Sequence, residues 1–184
     1  MSPHNRIAHV SSVLATLALI GVVAAPESLS APAPSGLNKP LAAGYDAAAV
    51  DQARSGALRK LQDPECLKIL TDFRDREGRT LAENLDTWGV SAAQYLRMLP
   101  FLNGAALPLC RRNTAALTSV PGLPPIYVCP ASGGHLTSRL AEVEAENPSL
   151  AEAMVIHEML HTLGLGENPP APSEITARVR ARCR

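Results

Sequence analysis

Aromatic side chains are scarce in this 184-residue chain, with one Trp, three Tyr and two Phe. A core must therefore be filled by Leu, Val, Ile and Ala. Excess charge of either sign is missing too, since 17 Lys+Arg stand against 17 Asp+Glu. Without a basic excess, nucleic acid and anionic lipid are not indicated as partners. The four cysteines, Cys66, Cys110, Cys129 and Cys183, include no Cys-x-x-Cys pair. That spacing argues against a thiolate zinc site or a redox motif. Internal repeats are absent as well.

Charge is also missing from the front of the chain, where Arg6 is the only charged residue before Glu27. An apolar run at 13–25 follows Arg6, and small residues (Ala24, Ala25, Ser28, Ser30, Ala31) come after it. A basic start, an apolar middle and a small-residue exit describe a secretory signal peptide over residues 1–25. The charge-free span 7–26 is also about as long as a bilayer is thick, at roughly 20 residues. His9, Ser11, Ser12 and Thr16 dilute it, so cleavage is expected ahead of retention as an anchor. Membrane association is expected only if the segment stays uncleaved. Removing residues 1–26 takes away one basic residue and leaves the balance one unit acidic. The expected location is outside the cytoplasm, secreted or periplasmic.

Residues 26–40 (PESLSAPAPSGLNKP) are rich in Pro, Ser and Ala and read as an extended linker. Residues 41–184 suit one domain with a modest core. An even cysteine count in an exported chain points to two disulfides. Of the three possible pairings, Cys110–Cys129 with Cys66–Cys183 is the expected one. The first would clamp a hairpin, and the second would tie the last segment to the front of the domain.

The Ala-rich stretch 41–63 carries a weak helical pattern (Val50, Leu58, Leu61) and reads as a loosely held helix. Pro64 can open a helix bearing Leu67, Ile69, Leu70 and Phe73. Thr80 is placed to cap the next, with Leu81, Leu85 and Trp88 on one side. Ser91 caps a third, with Tyr95, Leu96 and Leu99. Residues 114–120 and 126–129 favour strand, and Pro121-Gly122-Leu123-Pro124-Pro125 between them signals a hairpin. A short helix is expected over 137–146. Asn147-Pro148 then supplies a cap and a first-turn proline for a helix over 149–163. Its buried side is expected from Leu150, Ala153, Met154, Ile156, Leu160 and Leu163. Ser173 can cap a last helix at 174–183. The fold class is α+β: a small, mostly helical single domain with a short antiparallel hairpin or sheet.

That penultimate helix carries the chemistry. Positions four apart stack about 6 Å along a helix, so His157 and His161 can aim two imidazoles at one ion. Glu158, rotated about 100° from His157, lies at the margin of that face. Two neutral nitrogens to hold one zinc ion, and a carboxylate base beside them, suit a hydrolytic site. Glu167 can join only if the helix stops and the chain reverses. Gly164 and Gly166 permit the stop, and Pro169-Pro170 keep the helix from resuming. The rival third ligand is Glu174, from a following helix, although a first-turn Glu also simply complements the helix dipole. His135 is an outside candidate.

The run HEMLHTLGLGE, residues 157–167, resembles the HExxHxxGxxH motif of the metzincin zinc peptidases. It is most similar to the matrix-metalloproteinase version, where Leu-Gly also follows the second histidine. The resemblance implies zincin chemistry, with His157 and His161 as zinc ligands, Glu158 as catalytic base and Gly164 at the turn. The third-ligand slot falls on Glu167, and no methionine follows Met159 to make the family's Met-turn. The expected activity is a zinc-dependent metallopeptidase that cleaves a peptide or protein with a metal-activated water and Glu158 as base. A strand of the hairpin would pair with an extended substrate, and Tyr127 is a candidate oxyanion donor. Two other readings remain open. One is a non-catalytic metal-containing surface or periplasmic interaction protein, and the other is a cell-wall amidase.

Overall fold

Asn147 begins the helix on which the rest of the domain is assembled. In the computed structural model its side chain accepts the Leu150 N–H, and Pro148 occupies the first turn of the helix Pro148–Thr162. The structure describes residues 45–112, 115–131 and 138–184, all within one compact unit, Ala33–Arg184. The expected signal peptide, the linker and His135 lie outside the described residues.

Nine helices and three strands are described. The helices are α1 (Tyr45–Lys60), α2 (Pro64–Leu67), α3 (Ile69–Asp72), α4 (Leu81–Asp86), α5 (Ala92–Met98), α6 (Pro108–Arg112), α7 (Arg139–Glu146), α8 (Pro148–Thr162) and α9 (Pro172–Arg182). The strands are β1 (Phe101–Asn103), β2 (Leu117–Ser119) and β3 (Ile126–Val128). The class is α+β, as expected.

The helix α8 packs against α1, α7, α9, β2 and β3. Every residue from Val155 to Thr162 is consequently buried. Leu150 and Met154, expected inside, are only half-buried. The second half of α8 is packed by several elements at once, so its burial does not follow a one-sided pattern, and Met154 borders a cavity instead.

The first helix departs further from expectation. Far from being loosely held, α1 lies along α8 and α7 with Ala49, Val50, Ala53, Ala57 and Leu61 buried. Alanine gives little amphipathic signal, yet its small side chain lets two helix backbones approach closely. The Lys60 ammonium closes the contact, 3.0 Å from Glu152 Oε2 and 3.1 Å from the Cys183 carbonyl.

The helix expected after Pro64 forms as two separate turns, α2 and α3, joined at Lys68. Thr80 and Ser91 cap α4 and α5 as expected, each completing a capping box with Glu83 and Gln94. Trp88 does not join Leu81 and Leu85 inside. It is 48% exposed, with its ring centroid 5.4 Å from that of Tyr95. The last helix starts one residue before the expected cap: Pro172 takes the first turn, and Ala171 at the capping position makes no side-chain bond.

Strands β2 and β3 form the expected antiparallel hairpin, with Thr118 opposite Tyr127. The third strand, β1, was not anticipated, and it runs parallel to β3 with Leu102 opposite Tyr127. The sheet is therefore mixed, in the order β1-β3-β2, and β2 is an edge. A three-residue strand is too short to show a period of two.

Both disulfides are formed as expected, and no described cysteine is free. Cys66–Cys183 ties the end of α9 back to α2. Cys110–Cys129 joins α6 to the end of β3, rather than strand to strand within the hairpin. Gly104 makes that approach possible, because a Cβ there would lie 2.5 Å from Cys110 Sγ. Among the described residues no helix is long and apolar enough to cross a membrane.

Candidate metal centre

His157 and His161 stand one turn apart on α8 with their Nε2 atoms 2.9 Å apart. Glu167 Oε1 lies 3.2 Å from His161 Nε2. One ligand atom from each of the three residues falls within 4.8 Å of the others. Two nitrogens each about 2.0–2.1 Å from one zinc are separated by about 3 Å, so the donor set fits such an ion in spacing as well as in type.

The outer nitrogens are held. His161 Nδ1 donates to the Leu165 carbonyl at 2.7 Å. A carbonyl only accepts, so this bond places the ring proton on Nδ1 and leaves the Nε2 lone pair facing the cluster. His157 Nδ1 lies 2.8 Å from Thr176 Oγ1 on α9. Burial, with the nearby His161, pushes His157 down to about 3. The neutral ring this favours is the form a metal requires.

The reversal that returns Glu167 is built at the end of α8. Gly164 takes φ +106°, a left-handed conformation suited to glycine. Its N–H donates to the His161 carbonyl, and the Leu165 N–H donates back to Leu160 O. This paired pattern is a Schellman motif, and the same turn delivers the Leu165 carbonyl to His161. Asn84 Nδ2, on α4, donates both to Leu163 O and to Asp75 Oδ2, each at 2.9 Å. The turn is thus clasped from a second element.

Glu158 is buried, and Ser119 Oγ on β2 donates to its Oε2 at 2.7 Å. Burial raises its carboxyl above the ordinary range, while the Ser119 bond and His161 oppose that rise. Among the described residues Oε1 carries no hydrogen bond. A cavity of about 540 Å³ opens over Glu158, His157, His161 and Glu167, walled by Leu117, Ser119 and Met154 among others. Comparison with family models, curated proteins and solved structures finds no match. What the site can do must therefore be read from its own chemistry.

Of the residues picked out from sequence, His157, His161, Glu158 and Glu167 are brought together. Glu174 is not part of the three-residue group, and its carboxylate lies 3.6 Å from Arg178. Tyr127 is buried in the central strand and does not line the cavity. Sequence reasoning missed Ser119, Thr176 and Asn84, whose partners lie 39, 19 and 79 residues away. A single hydroxyl or amide at such a distance leaves no periodic or spacing signal.

The clasp is expected to be acid-sensitive. The Asn84 bond, with bonds from Arg79 and Glu77, outweighs partial burial and holds the Asp75 carboxyl down to about 2. A depressed carboxyl contributes stability above its ordinary value of 3.8, and loses it as pH falls through about 2. The difference in urea midpoint between the native chain and Asp75→Asn should be full at pH 5 and shrink between pH 4 and 2. A difference constant across that range would dissociate Asp75 ionisation from stability.

Proposed function

We propose that this protein is an exported zinc-dependent metallohydrolase that acts as a peptidase. The observation that carries this reading is convergence: His157, His161 and Glu167 meet beside the buried Glu158 at the floor of one cavity. His157 and His161 would hold the ion through Nε2, and Glu167 through a carboxylate oxygen. A bound zinc would supply a Lewis acid and lower the pKa of a coordinated water toward 7.

The protein's own groups have separable tasks. Thr176 and the Leu165 carbonyl fix the two ring orientations. Ser119 pins one oxygen of Glu158, which leaves Oε1 to take the proton of the attacking water and return it to the departing amine. The Ser119 bond also fixes the direction in which that oxygen points. Leu117 and Ser119 lie on the edge strand, and their main-chain groups point away from β3, because the Cys129 N–H to Ala116 O bond sets the phase of the ladder. An extended peptide can add to that edge beside the metal cluster.

Burying a carboxylate costs stability, which the single Ser119 bond offsets only in part, and an apolar residue would fill position 158 of a silent site better. That favours a catalyst over a non-catalytic interaction protein. A cell-wall amidase would use the same residues on a different amide. Export is supported by the two disulfides, which belong to an oxidising compartment, together with the basic start and charge-free span 7–26 of the leading segment.

The test is metal analysis of the purified mature protein together with a broad peptide-library digest. About one zinc per chain is expected, with cleavage that a chelator stops and added zinc restores. A chain that holds no divalent metal after zinc dialysis would refute the proposal. Zinc binding with cleavage of muropeptides alone would move the assignment to the amidase.

A further inference from the structure

Arg76 differs from the basic residues beside it in sequence. Arg74 donates to the Gly78 carbonyl, and Arg79 pairs with Asp75 and Glu77. Arg76 makes no ion pair or hydrogen bond with any described residue, although acidic Asp75 and Glu77 flank it in the chain. Its side chain lies over Gly166, where a Cβ would meet its Nε at 3.5 Å and its Cγ at 3.9 Å. That places its stem beside the turn that delivers Glu167.

Arg76 lines two cavities at once. One is the cavity over the His/His/Glu cluster, where it is the only Lys or Arg among the described lining residues. The other, about 330 Å³, is walled by Trp88, Thr87 and Asn84 together with Arg79 and the Asp75 and Glu77 it pairs with, and Pro121 belongs to both. Arg76 borders both cavities, so a ligand spanning them would lie against its side chain. A guanidinium keeps its charge throughout the accessible pH range and offers a planar fork that matches a carboxylate. Trp88, with about half its surface open, supplies an apolar face beyond it.

We infer that Arg76 is a specificity-determining residue that binds a carboxylate of the peptide substrate, with the adjoining chain lying against Trp88. The inference rests on the peptidase reading for the name of the substrate, but not for the binding it requires. The carboxylate comes either from a free C-terminus or from an Asp or Glu side chain near the scissile bond. Both present the same chemistry to the guanidinium, and the experiment separates them.

Trp88 is the chain's only tryptophan, so its fluorescence reports occupancy of the second cavity whether or not hydrolysis occurs. Zinc-loaded Glu158→Gln protein, in which hydrolysis is expected to be slowed about 10²–10⁴-fold, would be titrated with one neutral peptide scaffold in matched forms. One pair carries a free or an amidated C-terminus. The other pair, amidated, carries Glu or Gln at each position in turn. The carboxylate form is expected to bind about tenfold more tightly than its neutral partner in one of the two pairs, the size of one charge-assisted hydrogen bond. The pair that shows the effect identifies the source. Adding Arg76→Ala should bring the ratio to about one, and Arg76→Lys should leave it intermediate. Equal binding of charged and neutral forms, or a preference that survives Arg76→Ala, would overturn the inference. A charge preference that depends on Arg76 in a protein whose parent cuts no peptide would leave the anchor standing and remove the peptidase.

Discussion

Glu158→Gln is expected to lower peptide hydrolysis by a factor of about 10²–10⁴ while leaving about one zinc per chain. The substitution keeps the shape of the side chain, and its amide oxygen can still accept from Ser119 Oγ, which now donates to Oε2. What is lost is the second oxygen, the one with no hydrogen bond among the described residues and open to take a proton. The amide nitrogen put in its place cannot accept one. Both imidazoles and Glu167 are untouched, so the ion should stay. Folding should not suffer, because a neutral amide is cheaper to bury than a carboxylate. Activity and zinc content must be measured on the same preparation, with a thermal melt to exclude unfolding. Full hydrolytic activity in Glu158→Gln would remove the base from the mechanism.

The site was readable to the extent that its parts are local. Two histidines four apart, a glycine able to reverse the chain and a carboxylate three residues beyond it all fall within residues 157–167. Helix geometry connects them without reference to the rest of the fold. The caps at Thr80, Ser91 and Asn147 were readable for the same reason, since each donor and acceptor lies within three residues.

What escaped is non-local. Ser119 is one hydroxyl in a short strand, and only the packing of β2 on α8 gives it Glu158 as a partner. Thr176 looks like an ordinary helix residue until α9 folds over His157. The misjudgement of α1 has a different origin, because Ala49, Ala53 and Ala57 form a face that hydropathy scores as weak but that packs tightly. Trp88 is the reverse case. The helical spacing puts the largest apolar side chain in the sequence on one side with Leu81 and Leu85, yet it stands at the rim of a cavity. Size predicts burial only where a side chain has no surface to serve.

Zinc affinity is expected to fall at three positions and to hold at a fourth. His161→Ala should abolish stoichiometric binding, because one imidazole and one exposed carboxylate hold the ion poorly and no described neighbour can replace the lost nitrogen. Glu167→Ala should weaken binding but not abolish it. Two nitrogens remain on a rigid helix, while the lost ligand is a half-exposed carboxylate on a loop. Thr176→Val keeps the shape and removes the group opposite His157 Nδ1. The ring then lacks its orienting partner, and affinity should drop about 10–100-fold, the range measured for such outer partners. Glu174→Ala should leave affinity unchanged, since that carboxylate sits by Arg178 outside the cluster. The measurement is competition against a chromophoric chelator at fixed pH, because only the neutral form of an imidazole binds a metal. The informative contrast is Glu167 against Glu174. If Glu174→Ala loses zinc while Glu167→Ala keeps it, the third ligand comes from α9, and the Schellman turn at Gly164 serves only to end the helix. If Thr176→Val binds as tightly as the native chain, packing alone orients His157, and its contact with Thr176 is incidental to the metal.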